Sequence, residues 1–81
     1  MKFNQLIAKR IRQLLKAYGW TCYQLATRSA IACSTLSCVI NCKCNTIMAE
    51  TLLNICRGFD IPLEEFFNDA MFSFENIADN D

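Results

Sequence analysis

Six cysteines are the residues of this 81-residue chain best suited to covalent or metal chemistry. Five of them lie between positions 22 and 44, and the sixth is Cys56, which we expect in the core. Cys38 and Cys42 are spaced i, i+4, and Cys42 and Cys44 have a spacing that thiolate ligands use. The chain has no Cys-x-x-Cys pair. We therefore predict no resident metal or cofactor, and keep a redox- or metal-responsive cysteine surface as an alternative.

Candidates for catalysis are few. The chain has no histidine, which is the usual general base for a nucleophilic serine or cysteine. With two glycines it has no glycine-rich loop to hold a phosphate. Glu64 and Glu65 are neighbours on one predicted helix rather than a pair facing each other across a cleft. These features predict that the protein is not an enzyme and has no small-molecule substrate.

Charge is divided unevenly along the chain, although the formal net charge is zero. Residues 1–57 contain all eight basic residues and one acidic residue, Glu50. Residues 58–81 contain seven acidic residues and no basic residue. A cationic half attracts polyanions, and an acidic half limits nonspecific attraction. The pattern favours a nucleic-acid partner.

The periodicity of apolar residues predicts a single all-α domain over residues 1–69, followed by an acidic tail over residues 70–81. The first residues contain no unbroken apolar run, which argues against a signal peptide and a membrane span and for a cytoplasmic protein. The Phe72-Ser73-Phe74 alternation in the tail suggests a short strand or a docking segment. Five helices are predicted, over residues 4–18, 22–29, 33–41, 47–57 and 63–69.

Local signals define the helix ends. Gly19 is expected to end helix 1, and Thr21 with Gln24 forms a capping box before helix 2. Thr46 is the predicted N-cap of helix 4, and Gly58 its predicted end. Helix 5 is expected to begin after Pro62, with acidic residues in its first turn, where the helix dipole favours them.

Helix 3 has an unusual outer face. At about 100° per residue, one side is apolar and the other carries small, uncharged, hydrogen-bonding side chains. Exposed helix faces in soluble proteins usually carry glutamate and lysine, and this face carries neither. Contact with another molecule therefore explains the face better than solvation does.

The chain resembles the phage repressor/Cro-type (XRE-like) helix-turn-helix family over residues 7–67. The residues that carry the resemblance in helices 2 and 3 are Ala26, Ala30, Ile31, Leu36 and Val39, and the segment TLLNICRGFDIPLEEFF is similar to the family's helices 4 and 5. The resemblance implies a compact five-helix bundle of the lambda-repressor-like type. It also implies a homodimeric transcription regulator, typically a repressor, that binds double-stranded DNA with helix 3 in the major groove.

The resemblance also implies roles for particular residues. Those placed to read base edges are Cys33, Ser34, Ser37 and Cys38. Those placed to bind phosphates are Cys22, Asn41, Lys43 and Cys44. Residues expected at the dimer interface are Phe66, Phe67, Met71, Phe72 and Phe74.

The sequence departs from the family on the DNA side. Cysteines replace longer polar side chains at several of these positions, and a thiol is too weak a donor for bidentate base contacts. Ala32 lacks the usual N-cap oxygen of helix 3, and Ile40 replaces a glutamate that pairs with a helix 1 arginine, which we assign to Arg10. Two alternatives follow: a protein-interaction module that has lost DNA binding, and a thiol- or metal-responsive regulator.

Overall fold

The computed structural model of the chain describes residues 2–43, 47–73, 75 and 77, and every regular element in these residues is helical. This confirms the predicted all-α fold with five helices. A short 3₁₀ helix, η1, follows them near the C-terminus. The elements in chain order are α1 (Phe3–Tyr18), α2 (Cys22–Ser29), α3 (Cys33–Ile40), α4 (Ala49–Phe59), α5 (Leu63–Phe66) and η1 (Ala70–Phe72).

Helix α1 has more buried residues than any other described helix. Its apolar stripe is buried at Leu6, Ile7, Ala8, Ile11, Leu14 and Leu15. The helix ends at Gly19 as predicted, because Gly19 adopts a left-handed conformation (φ 70°) that an L side chain would strain. The core around α1 joins all five helices, and Phe59 and Phe66 are its largest fully buried side chains.

Helix α2 has the predicted bounds and the predicted cap. The Thr21 hydroxyl accepts a hydrogen bond from the Gln24 amide at 3.2 Å. The Gln24 side chain accepts one from the Thr21 amide at 2.8 Å. Both bonds join residues three apart, so local sequence is enough to start this helix.

The turn between α2 and α3 passes through Ala30, which has a positive φ of 55°. Its amide donates to Thr27 O at 3.4 Å, and the Ile31 amide donates to Ala26 O at 3.1 Å. These bonds terminate α2 and turn the chain into α3. Because Ala30 is exposed, its side chain adds steric cost to the left-handed backbone and little packing.

We expect Ala30→Gly to raise the free energy of unfolding by about 1 kcal/mol, because glycine adopts a positive φ without steric cost. The matched control is Ala17→Gly, at an exposed position within α1. That change should lower stability by about 0.5–1 kcal/mol. Urea unfolding of both variants measures the effects, and loss of stability in Ala30→Gly would contradict the strained turn.

Helix α4 differs from its prediction at both ends. It begins at Ala49 rather than residue 47, with Met48 as N-cap, and the predicted cap Thr46 lies outside the described residues. It continues through Gly58 to Phe59, and Asp60 forms the left-handed cap instead. Gly58 is buried where α4 crosses α2, so the absence of a side chain serves close packing rather than helix termination.

Helix α5 is shorter than predicted and ends at Phe66. Arg10 donates from Nε to Phe66 O at 2.8 Å and from a terminal nitrogen to Glu65 O at 2.9 Å. Glu65 O also accepts from the Asn68 amide at 3.2 Å, a bond between residues three apart that tightens the end of the helix. The chain turns instead into η1, where Asp69 accepts from the Met71 amide at 2.9 Å.

The strand suggested for Phe72-Ser73-Phe74 is not seen in the described part of that segment: Phe72 ends η1, and Phe74 lies outside the described residues. The alternative of a docking segment stays a prediction. Among the residues with described structure, no helix combines the length and the apolar character required to cross a membrane.

Candidate nucleic-acid interface

Helix α3 presents one face to the core and one to solvent. Leu36, Val39 and Ile40 are buried against the core. Contacts with both α1 and α2 hold the helix in place. Ser34 and Ser37 are exposed, so the opposite face is open to a large ligand. An exposed helix without charged side chains can enter the major groove and offer hydroxyl groups to base edges.

The four predicted base-reading residues are not equally accessible. Cys33, Ser34 and Ser37 are exposed, and Cys38 is half-buried at the edge of the face. Ser37 Oγ accepts a hydrogen bond from Asn41 Nδ2 at 3.1 Å. This bond links a predicted base-reading residue to a predicted phosphate-binding residue one turn later. The exposure meets the physical requirement for base reading, and the roles themselves stay predictions.

The predicted phosphate-binding residues lie at the ends of helices. Cys22 is exposed as the first residue of α2, and Asn41 is exposed as the C-cap of α3. Lys43 is exposed just after it, and its amide donates to Cys38 O at 2.9 Å. Cys44 lies outside the described residues. Asn41 and Lys43 therefore follow the exposed face of α3, and Cys22 lies at the start of α2.

Cys42 makes the turn that ends α3. It has a positive φ of 57°, and its amide donates to Val39 O at 3.2 Å. Its thiol lies 3.9 Å from Asn4 O at the start of α1 and is half-buried. Cys42 thereby contacts the first turn of α1.

The described cysteines are in different environments. Cys22 and Cys33 are exposed, Cys38 and Cys42 are half-buried, and Cys56 is buried in the core as predicted. Burial raises the pKa of the Cys56 thiol, because the charged thiolate is disfavoured away from water. Within the described parts of the chain, no three histidine, cysteine, aspartate or glutamate side chains are grouped to hold a metal ion.

Position 40 is contacted by an arginine that the sequence analysis did not assign to it, while Arg10, which has no glutamate at position 40 to pair with, has found another partner. Arg12, not Arg10, reaches it: a terminal nitrogen of Arg12 donates to Ile40 O at 2.8 Å. Arg10 is engaged with α5 instead. The two arginines are two residues apart and therefore point in different directions from α1, and only packing decides which one faces α3. Sequence reasoning missed Arg12 as a residue of this site.

The start of α3 has the weak cap that was predicted. Ala32 is the N-cap, and no side chain there accepts a hydrogen bond from the first turn. The helix is instead held by the burial of Leu36, Val39 and Ile40. The amides of the first turn, beside the exposed Cys33 and Ser34, therefore have no hydrogen bond to an N-cap side chain.

One predicted dimer residue is excluded by its burial. Phe66 has no exposed surface and packs in the core of its own chain, so it cannot contact a second copy. Phe67, Met71 and Phe72 are half-buried, and Phe74 lies outside the described residues.

Phe3 extends this aromatic group to the surface, and the prediction missed it. It is 44% exposed and stacks on Phe67 with the ring centroids 6.3 Å apart. It also meets Phe72 edge-on at 6.4 Å. We call Phe3, Phe67 and Phe72 the aromatic patch.

Comparison with known families agrees with this geometry. The sequence model of the Cro/C1-type HTH DNA-binding domain matches residues 10–69, a span that contains the α2–α3 turn and the whole of α3. No curated protein and no solved structure gives a significant match to the chain.

Proposed function

Because the chain belongs to the Cro/C1-type helix-turn-helix DNA-binding domain family, we propose that it is a cytoplasmic transcription regulator that binds operator DNA as a homodimer. In this proposal α3 enters the major groove. The observation that carries it is the contrast between the two sides of α3: Leu36, Val39 and Ile40 are buried, while Ser34 and Ser37 are exposed on an uncharged face.

Base reading falls to a small set of hydroxyl groups. Ser34 and Ser37 each offer one donor and two acceptor positions, so they can bond to either purines or pyrimidines. The Cys33 thiol is a weak donor, but it suits apolar contact with a thymine methyl group. We expect modest direct readout, with DNA shape contributing the remaining specificity.

Phosphate contacts fix the orientation of α3. Lys43 supplies a cation, and Asn41 supplies an amide next to it. Helix α2 begins at the exposed Cys22, and helix N-termini favour anions. The helices α1, α2 and α3 contain no acidic residue, so this side of the molecule attracts the duplex without local repulsion.

The aromatic patch is the surface we propose for dimerisation, together with Met71. Phe3 is exposed to solvent, and Phe67, Met71 and Phe72 are half-buried, so their packing within one chain is incomplete. A dimer reading successive major grooves has half-sites about 34–36 Å apart. We expect such a dimer to repress, because it excludes other proteins from the duplex that it covers.

The test is selection of bound fragments from random duplex DNA by the reduced protein. We expect enrichment of a sequence with two-fold symmetry and half-sites one helical turn apart. Affinity should fall with salt along a slope equivalent to several phosphates. The absence of both an enriched sequence and salt-dependent binding would contradict the proposal and favour the protein-interaction module.

The same selection tests the thiol alternative. Repeating it after oxidation and with added zinc separates a plain regulator, which keeps its enriched sequence, from a sensor, which loses it reversibly.

Sedimentation at several protein concentrations tests the dimer, and Phe67→Ser should shift the protein toward monomer. If the wild-type protein is monomeric and occupies single half-sites, the proposed homodimer is wrong and the proposed DNA binding stands.

A further inference from the structure

We propose that Lys9 and Arg12, on the outer side of α1, bind a backbone phosphate beside the C-terminal end of α3. This contact is additional to those at Cys22, Asn41 and Lys43. The inference rests on the proposed DNA-binding function and deepens it, because it adds a second helix to the surface that holds the duplex.

The structure places the first half of α1 next to the end of α3. Arg12 donates to Ile40 O at 2.8 Å, and Ile40 is the last residue of α3. Cys42 Sγ, two residues further on, lies 3.9 Å from Asn4 O. The α1 side chains near these contacts are therefore neighbours of Asn41 and Lys43, where the proposed phosphate contacts begin.

Lys9 and Arg12 share one groove at this junction. They are spaced i, i+3 on α1, so their side chains leave the helix on the same side. Both are exposed. The groove has a volume of about 390 Å³, and its lining residues are Gln5, Ala8, Lys9, Arg12 and Cys42. An anion in this groove would meet two cationic side chains and an amide side chain.

The charge of Arg12 remains available to such an anion. Its partner at Ile40 is a neutral carbonyl oxygen, which orients the guanidinium without cancelling its charge. A guanidinium has five N–H donors in a planar fork, and this bond uses one of them. Arg12 can therefore hold the end of α3 and bind a phosphate at the same time.

Lys9 supplies charge alone, which makes the two residues separable. Substitution of Arg12 removes both a bond to α3 and a cation, whereas substitution of Lys9 removes a cation from an exposed side chain. A merely structural role for Arg12 predicts that only the Arg12 variant binds DNA less well. Phosphate binding predicts that both variants do.

The experiment compares Lys9→Gln, Arg12→Gln and the double variant on the duplex selected by the wild type. The matched control is Arg57→Gln, which removes one exposed positive charge from the last turn of α4. Among the described residues, Arg57 is not one that lines the proposed groove. Affinity is measured at several salt concentrations.

We expect each single variant to bind about 3- to 10-fold more weakly, on both the selected and a scrambled duplex. The slope of log affinity against log salt should fall by about 1 for each substitution and by about 2 for the double variant. Arg57→Gln should leave the slope unchanged. An unchanged slope in Lys9→Gln and Arg12→Gln, with normal wild-type binding, would overturn this inference and leave the proposed function intact. Failure of the wild type itself to bind would instead overturn the proposed function.

Discussion

Ser37→Glu is expected to weaken binding to the selected duplex by at least about 100-fold while leaving the fold unchanged. Ser37 is exposed in the middle of the α3 reading face. A carboxylate there would face base acceptors and phosphates across a narrow gap, and like charges in such a contact cost several kcal/mol. Titration of labelled duplex measures the loss, and circular dichroism checks the helix content.

The control for Ser37→Glu is Ser73→Glu, which makes the same change at an exposed position after η1. It should bind the duplex within about twofold of the wild type, because it lies outside the proposed DNA interface, and sedimentation checks that the charge next to Phe72 leaves the dimer intact. Equal effects of the two substitutions would mean that added negative charge acts through the field of the whole protein. In that case α3 would not be the groove-binding element.

Gly58→Ala is expected to lower the free energy of unfolding by about 2–3 kcal/mol, through overpacking of the core. A Cβ at this position would overlap with Ser29 Oγ and lie 3.2 Å from Ser29 Cβ, where α4 crosses α2. Ser29 is buried, and its hydroxyl has no hydrogen-bond partner among the described residues. Rotation of the hydroxyl does not relieve the whole clash, because Ser29 Cβ and the Ser29 amide nitrogen both lie 3.2 Å from the added Cβ.

A double-mutant cycle with Ser29→Ala tests this mechanism. Ser29→Ala alone should leave stability unchanged or raise it by about 1 kcal/mol, because it removes a buried polar group without a partner. In that background Gly58→Ala should cost at least about 1 kcal/mol less than in the wild type. Urea unfolding of the four proteins gives the coupling energy.

Gly19→Ala is the matched control for the cycle. Gly19 has a φ of 70° and nothing within 4 Å of the added Cβ, so its cost is backbone strain alone. Ser29→Ala should not reduce that cost. Equal rescue of Gly19→Ala and Gly58→Ala would show that Ser29→Ala stabilises the protein in general, and the proposed clash would be wrong.

Close packing at this crossing belongs to a larger arrangement that fixes the start of α2. Trp20 stacks on Phe59 with ring centroids 5.5 Å apart. The guanidinium of Arg28 lies over the Trp20 ring, 4.5 Å from the ring centroid. These contacts join residues near both ends of α2 to Phe59 of α4, directly or through Trp20, on the side where the two helices cross.

Local signals were sufficient for the features that local interactions create. The bounds of α2 and its capping box were predicted correctly because the bonds between Thr21 and Gln24 lie within one turn. Gly19 was identified as the end of α1 for the same reason. The division of α3 into a buried and an exposed face followed from helical periodicity, and the match of residues 10–69 confirms the family that the pattern indicated.

Features that depend on contacts between distant residues were not predictable in the same way. Gly58 was expected to end α4, because a glycine near the end of an apolar pattern usually serves as a cap. Its real role depends on Ser29, 29 positions earlier in the chain. Likewise Phe66 is as apolar as Phe67, and only the packing of α5 against α1 decides which of the two rings is fully buried.

By itself, the sequence determined the helical fold, the cap of α2 and the uncharged face of α3, since each depends on residues within a turn or two of one another. Only the tertiary structure decided that Arg12 rather than Arg10 reaches α3, and that Arg10 binds the last carbonyls of α5. The physical reason is that an arginine side chain is long and flexible. Its partner is set by whichever carbonyl the packed helices bring within reach, and no local pattern encodes that choice.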